Sequence, residues 1–235
     1  FTNGSDVRVK IDSEQFASPA VTNLEIITSY NSFKATIKAI GLPHLSAAAA
    51  AVAVGLNLNI SQEDIIKGLG KYRTMAGRLN FLAGIKKTIV IDDSYNASPD
   101  SVKAALQVLR RTPQSKKVVV LGDMLELGDI SEQFHKQIGQ VVADLNPEKF
   151  IAVGNLSKFT IQGAVSAGFP QEKTQWFANS NEAKETIREQ IEPESVILIK
   201  GSQGARMERI SKALLLDPMS ATNVLPRQYG AWLDN

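Results

Sequence analysis

The sequence predicts an α/β fold, a Rossmann-like doubly wound and mostly parallel sheet preceded by the remnant of another domain. Three observations carry that expectation. From residue 78 onward, strand-like apolar runs alternate with helical patterns, and parallel strands need crossovers of this kind. The runs at 89–91, 118–121 and 196–199 are continuously aliphatic and rich in β-branched residues, as expected of strands covered on both faces. Each run leads into a polar turn and then a helix.

The first 76 residues have a different rhythm. Residues 1–32 carry weak strand signals, and 33–40 alternate Phe33, Ala35, Ile37 and Ala39 with Lys34, Thr36 and Lys38, the period of a half-exposed strand. Pro43 and His44 open a helix that runs through the alanines to about Val54, with Gly55 read as its C′ glycine. Ser61 caps the next helix, Asp64 three residues on approximates a capping box, and the helix ends near Gly70. These elements read as lacking a sheet of their own, and the boundary falls near residue 76. The chain begins with Phe1, not Met, and reads as part of something longer.

Beyond the boundary, strands are predicted at 87–91, 117–121, 150–153, 174–177 and 196–200. Helices are predicted at 99–110, 131–145, 156–167, 181–191 and 205–216. Ser98 suits an N-cap and Pro99 the first helical position, where a missing N–H costs nothing. Residues 217–235 carry no assignable pattern.

With 43% hydrophobic and 21% charged residues, the composition is that of an ordinary soluble globular protein. A net charge of +2, without a Lys/Arg stripe interleaved with aromatics, argues against nucleic-acid binding. The absence of cysteine removes disulfides and thiolate metal sites and allows a reducing, cytoplasmic setting. The most apolar stretch, 45–58, is too short to span a bilayer.

If the sheet forms, three turns share its carboxyl edge, where open α/β sheets bind ligands. The first runs from Asp92 to Ser98, the second from Gly122 to Gly128 and the third from Lys200 to Arg206. They deliver Asp93, Asn96, Asp123, Glu126, Lys200, Ser202 and Arg206 to that edge. Lys200 and Arg206 suit phosphate or carboxylate, glycines 201 and 204 let backbone N–H groups approach an anion, and Asp93 or Asp123 suits ribose hydroxyls or an ammonium. Taken singly, such turn residues often satisfy only their own backbone; it is their convergence that points to a ligand. His135, mid-helix beside Phe134 and Ile138, reads as a packing or helix-surface residue. No H-x-x-x-H pair, G-x-S-x-G elbow, G-x-G-x-x-G fingerprint or G-x-x-x-x-G-K-[ST] loop is present.

Together these strings resemble the Mur ligases of peptidoglycan synthesis, most closely the MurF type. Asp92 to Ser101 is similar to that family's D-D-x-Y-N-A-x-P-x-S, Leu121 to Gly128 to its L-G-D-M-x-E-L-G, and Lys200 to Glu208 to its K-G-S-R-G-x-R-M-E; Gly77-Arg78 matches the G-R that opens its C-terminal domain. The resemblance covers about 33–216. It implies a cytoplasmic, monomeric ATP- and Mg2+-dependent amide ligase of cell-wall biogenesis, with residues 1–76 as the tail end of the central ATP-binding domain and 77–235 as the C-terminal domain. The substrates it implies are UDP-N-acetylmuramoyl-tripeptide and D-Ala-D-Ala, joined through an acyl phosphate. By the same carry-over Arg78 and Asp93 contact ATP, while Asn96, Asp123, Lys200, Ser202 and Arg206 lie near the dipeptide or the phosphates. The phosphate-activating and metal-binding residues of the family belong upstream of Phe1, so this portion is expected to be inactive alone, without a metal site.

There are departures. Pro43 stands at the family's His position and His44 at the Asn position near adenine, Gln203 replaces an Arg, and Ser98 replaces a second Asn. Two other readings compete: a Mur or folylpolyglutamate-type ligase with a different amino substrate, and a non-catalytic binding module that keeps the fold.

Overall fold

The computed structural model describes residues 6–232, which fall into two compact units divided between Thr74 and Met75. In the first, β1 (Val7–Gln15), β2 (Val21–Thr28) and β3 (Ser32–Ile37) form an antiparallel sheet in that order. This corrects the expectation that these residues lack a sheet of their own. The alternation is short and flanked by turns, yet Leu24 and Ile26 on β2 and Phe33, Ala35 and Ile37 on β3 all point to one buried face. That face packs against α1 (Leu42–Asn57) and α2 (Gln62–Lys71) through Leu45, Ala48, Val52, Ile65 and Leu69.

Ser61 caps α2 as expected, its hydroxyl accepting from the Asp64 N–H at 3.1 Å. Gly55 is a second correction: it lies inside α1, where a Cβ would meet the Ile65 side chain at 3.2 Å. The glycine permits close approach of α2 and does not end the helix.

The second unit is a six-stranded sheet ordered β4-β5-β9-β6-β7-β8. Its strands are β4 (Asn80–Ala83), β5 (Ile89–Asp93), β6 (Lys117–Gly122), β7 (Lys149–Val153), β8 (Thr174–Phe177) and β9 (Val196–Lys200). All neighbours are parallel except the short edge strand β4, which runs antiparallel to β5. The sequence reading missed β4, an edge strand defined by its antiparallel pairing with β5. The crossovers are α3 (Pro99–Arg111), α4 (Ser131–Leu145), α5 (Ser157–Ser166) and α6 (Ser180–Gln190); α7 (Glu208–Leu214) and α8 (Ala221–Val224) follow β9.

Helices α3, α4 and α5 pack successively along one another. On another face Ala183 and Ile187 of α6, Ile210 and Leu214 of α7 and Ala221 of α8 cover Val90, Val118, Val120, Ile151, Ile197 and Ile199. The chain therefore winds outward through β6, β7 and β8 and returns to place β9 between β5 and β6. That arrangement puts the carboxyl end of β9 at the centre of the edge where the three turns meet.

β5 begins and ends two residues later than the sequence predicts. Lys86 and Lys87 take left-handed conformations (φ 53° and 60°) in a tight turn, and the strand runs on until Asp92 pairs with Ile199 and Asp93 with Lys200. The two carboxylates are thus strand residues, held at fixed height against β9. The predicted 205–216 helix is also shorter: a single 3-10 turn (Gln203–Ala205) and a left-handed Arg206 (φ 52°) precede α7.

Candidate functional site at the carboxyl edge of the sheet

The three expected turns meet, and hydrogen bonds tie them together. Ser202 is the junction, 3% exposed. Its hydroxyl accepts from the Leu125 N–H of the second turn at 2.9 Å and donates to the Ala97 carbonyl of the first at 3.3 Å. Its backbone N–H donates to the Asp123 carbonyl at 2.9 Å. One short side chain thus fixes all three turns relative to one another.

Asp92 and Asp93 alternate along β5 and meet different surroundings. Asp93 accepts from the Leu79 N–H at 3.0 Å and pairs with the Lys200 ammonium at 2.7 Å. Lys200, 1% exposed, also donates to the Asn96 carbonyl at 2.8 Å. The pair therefore pins the first turn down onto β9. Asp92 is fully buried. It accepts from the Ser211 hydroxyl at 2.6 Å. Burial pushes its carboxyl up to about 7, against the opposing pull of the Ser211 hydroxyl.

The second turn is held from below by His135. The ring is wholly buried, and its Nε2 accepts from the Met124 N–H at 3.1 Å. Nδ1 must then carry the proton, which it donates to the Ser131 carbonyl at 2.8 Å. His135 is therefore a packing residue with a specific acceptor role. Asp123 accepts from the Ser157 N–H at 2.7 Å, satisfying the first turn of α5.

In the third turn, Arg206 and Arg227 converge on Glu208, each at 2.7 Å. Burial raises the Glu208 carboxyl, but hydrogen bonds from Arg227 and Arg206 outweigh it and hold the group below its ordinary range. Arg227 also donates to the carbonyls of Ser94 at 2.6 Å and Tyr95 at 3.3 Å. The tail, without a pattern in the sequence, packs on this unit through Ala221 and Leu225 and sends Arg227 under the first turn. Gly77, at φ 74°, accepts from the Tyr95 N–H; a Cβ there would collide with Pro226 and Tyr95.

Among the residues singled out from the sequence, Lys200, Asp93 and Ser202 spend their polar groups inside the site. In the other unit, His44 is buried with Nδ1 at 2.8 Å from the Tyr72 hydroxyl. Arg78 is exposed, its guanidinium 4.3 Å over the Tyr95 ring. Asn96 is exposed, with its side-chain carbonyl accepting from the Ala97 N–H at 2.9 Å. Asp123 and Arg206 are half-buried. Both line a pocket of about 200 Å³, together with Asn155, Asn179, Gly204 and Arg209. A carboxylate and two guanidinium groups lining one pocket suit a small zwitterion. Sequence reasoning missed Glu208, Ser211 and Arg227, since nothing in local spacing marks a residue whose partners lie up to 133 positions away.

Residues 77–203 match the family model described as "Mur ligase, glutamate ligase domain". The chain is 35% identical over 162 residues to the UDP-N-acetylmuramoyl-tripeptide–D-alanyl-D-alanine ligase of Bacillus subtilis (strain 168), covering 68% of this chain and 35% of that protein. To the Escherichia coli (strain K12) enzyme of the same name it is 35% identical over 154 residues, 64% of this chain and 32% of that protein. A crystal structure of MurF from Acinetobacter baumannii superposes with a TM-score of 0.74 at 32% identity, over 89% of this chain and 45% of that one. The chain thus spans about a third of the length of these curated relatives. With the family match extending over more than half of its residues, the chain belongs to the Mur ligase family.

Proposed function

We propose that this chain is the C-terminal part of an ATP-dependent amide ligase of peptidoglycan precursor synthesis, which joins the amine of D-Ala-D-Ala to the terminal carboxylate of a UDP-N-acetylmuramoyl-tripeptide. In this reading residues 1–76 are the tail end of a central ATP-binding domain and 77–235 the C-terminal domain, and the enzyme works as a cytoplasmic monomer. None of the described helices is long and apolar enough to cross a membrane.

The observation that carries the reading is the pocket at the carboxyl edge. Asp123 offers a carboxylate to the dipeptide ammonium and Arg209 a guanidinium to its carboxylate, while Arg206, held by Glu208, adds positive charge to the same wall. Asn96 presents its amide at the same edge. Lys200, Asp93, Ser202 and His135 act as positioning groups, because their polar atoms hold the turns and not a ligand.

The fit to ATP is partial. Arg78 has an exposed guanidinium suited to a phosphate or a base, but Asp93 and His44 are buried on internal partners. No group of three or more His, Asp or Glu among the described residues is arranged to hold a metal. ATP supplies the activation of the tripeptide carboxylate, and the proposal places that step and Mg2+ on residues other than these. The part assigned to this chain is to bind and orient the amine nucleophile.

Thermal unfolding in the presence of amino substrates tests the assignment. Millimolar D-Ala-D-Ala is expected to raise the melting temperature, while D-Glu and diaminopimelate leave it unchanged. A shift with D-Glu as large as that with the dipeptide, or no shift with the dipeptide, would overturn it.

A further inference from the structure

Next to the carboxyl-edge pocket, with which it shares Arg206 and Arg209, a cleft of about 750 Å³ opens between α6, α7 and the tail. Six cationic side chains line it: Lys184 and Arg188 from α6, Arg206, Arg209 and Lys212 from the third turn and α7, and Arg227 from the tail. Only two carboxylates, Glu185 and Glu208, oppose them. The whole chain carries a net charge of only +2, so positive charge is concentrated here and the rest of the molecule is on balance acidic.

The two carboxylates do not neutralise the cleft. Glu208 is consumed by two guanidinium groups at once. Glu185 lies 3.9 Å from Arg188, a distance at which an exposed pair contributes little. Among the described residues the ammonium of Lys184 reaches the Asn181 side-chain oxygen, at 3.4 Å. Burial, with the Arg206 charge beside it, pushes the Arg209 guanidinium down from its ordinary value, so an anion placed there relieves an existing repulsion. A second, independent sign lies at the base of the cleft. Arg227 is only 5% exposed, yet its Nε–H has no acceptor among the described residues, whereas buried donors are ordinarily satisfied. Trp232 adds an aromatic wall, with the Arg206 guanidinium 5.1 Å from its ring centre.

From this excess of clustered cations, the unsatisfied buried guanidinium N–H and a volume within the range of small-molecule sites, we propose that the α6–α7 cleft binds a phosphorylated small molecule bearing two or more negative charges. Arginine forks and mobile lysines drawn from two helices and the tail match the several oxygens of linked phosphates better than they match a single carboxylate. The cleft also communicates with the carboxyl edge. Arg227 and Glu208 connect its base to the carbonyls of Ser94 and Tyr95, so an occupant bears on the order of the first turn. The proposal does not depend on the identity of the amino substrate.

Inorganic pyrophosphate, titrated into the 15N-labelled chain at low ionic strength, provides the test, because the two tryptophans report on different places. Saturable movement of the Trp232 indole resonance is expected while that of Trp176, hydrogen-bonded to the Gly154 carbonyl, stays still. Combining Lys184→Ala with Lys212→Ala should weaken binding about tenfold or more, and added salt should weaken it further. Replacing Lys67 and Lys71, which lie in the other compact unit, should change nothing. A Trp232 signal unmoved at about 10 mM pyrophosphate, a far weaker interaction than metabolite sites show, would overturn the proposal. So would equal affinity in the double variant. Citrate binding as tightly as pyrophosphate would overturn the assignment of phosphate chemistry.

Discussion

The carboxyl edge and the α6–α7 cleft use charge in opposite ways. At the edge, Lys200 is spent on Asp93 and the Asn96 carbonyl, Ser202 on Leu125 and Ala97, and the Asp123 carboxylate in part on Ser157. In the cleft, Lys184 and Lys212 have no carboxylate partner among the described ion pairs. Three turns from distant parts of the chain are tied to one another by ion pairs and hydrogen bonds. Two packed helices already have a core between them, and their outer charges remain free for a ligand.

The sharpest way to break this contrast is Lys200→Met. It strands the Asp93 carboxylate, 6% exposed, beside an apolar neighbour, and should cost about 3–5 kcal/mol of stability in urea unfolding. Adding Asp93→Leu should restore part of that loss, because the Leu79 N–H is then left without its acceptor. A cost for Lys200→Met below about 1 kcal/mol would mean that the pair does not hold the turn.

The Asp92 carboxyl is raised from 3.8 to about 7. The folded chain binds this proton more tightly than the unfolded one, so its stabilisation is fully present below about pH 4 and is lost as the pH rises through 7. Three units correspond to about 4 kcal/mol at most. Asp92→Asn keeps an acceptor for Ser211 and removes the buried charge. It should flatten the melting-temperature profile between pH 4 and 8 and exceed the parent chain in stability at pH 8; parallel profiles would refute the assignment. Glu208 has the opposite sign. Its carboxyl is lowered, so its contribution is fully present above the ordinary glutamate range and is lost as the pH falls from there through the lowered folded-state value.

A smaller loss is expected for His135→Ala, which leaves the Met124 N–H without its acceptor and opens a void, about 2–3 kcal/mol together. Hydrogen exchange at Met124 should accelerate in that variant, and His135→Gln should slow it again by returning an acceptor. Exchange unchanged in the alanine variant would show the bond to be dispensable. The cleft sits at the bottom of the scale: Lys184→Ala and Lys212→Ala should each shift stability by less than about 0.5 kcal/mol. A large loss there would show that these lysines support the fold, and the contrast between the two regions would collapse.

Much of the second unit is legible in its sequence. The helix at 131–145 and the strand at 196–200 fall where periodicity places them, because each carries apolar positions facing one core, and the strand at 174–177 also falls where it is predicted. The Ser98 cap is legible too, since its partner Ser101 is three residues away and the exchange of hydrogen bonds is local. Illegible were the short β4, the sheet of the first unit and the role of Gly55, each decided by a neighbour distant in sequence. The candidate site divides in the same way. Its three turns can be found from the strand ends, but which of their polar groups face a ligand cannot.

By itself the sequence determined the alternation of strands and helices, the convergence of three polar turns at one edge and the motifs that carry the family resemblance. All are local or periodic properties, written in residues a few positions apart. Only the tertiary structure decided that Lys200 and Asp93 neutralise one another, that His135 accepts a backbone proton, and that Arg227 of the tail reaches beneath the first turn. The energy of a charge depends on what surrounds it in space, and those surroundings come from segments that the chain brings together only on folding.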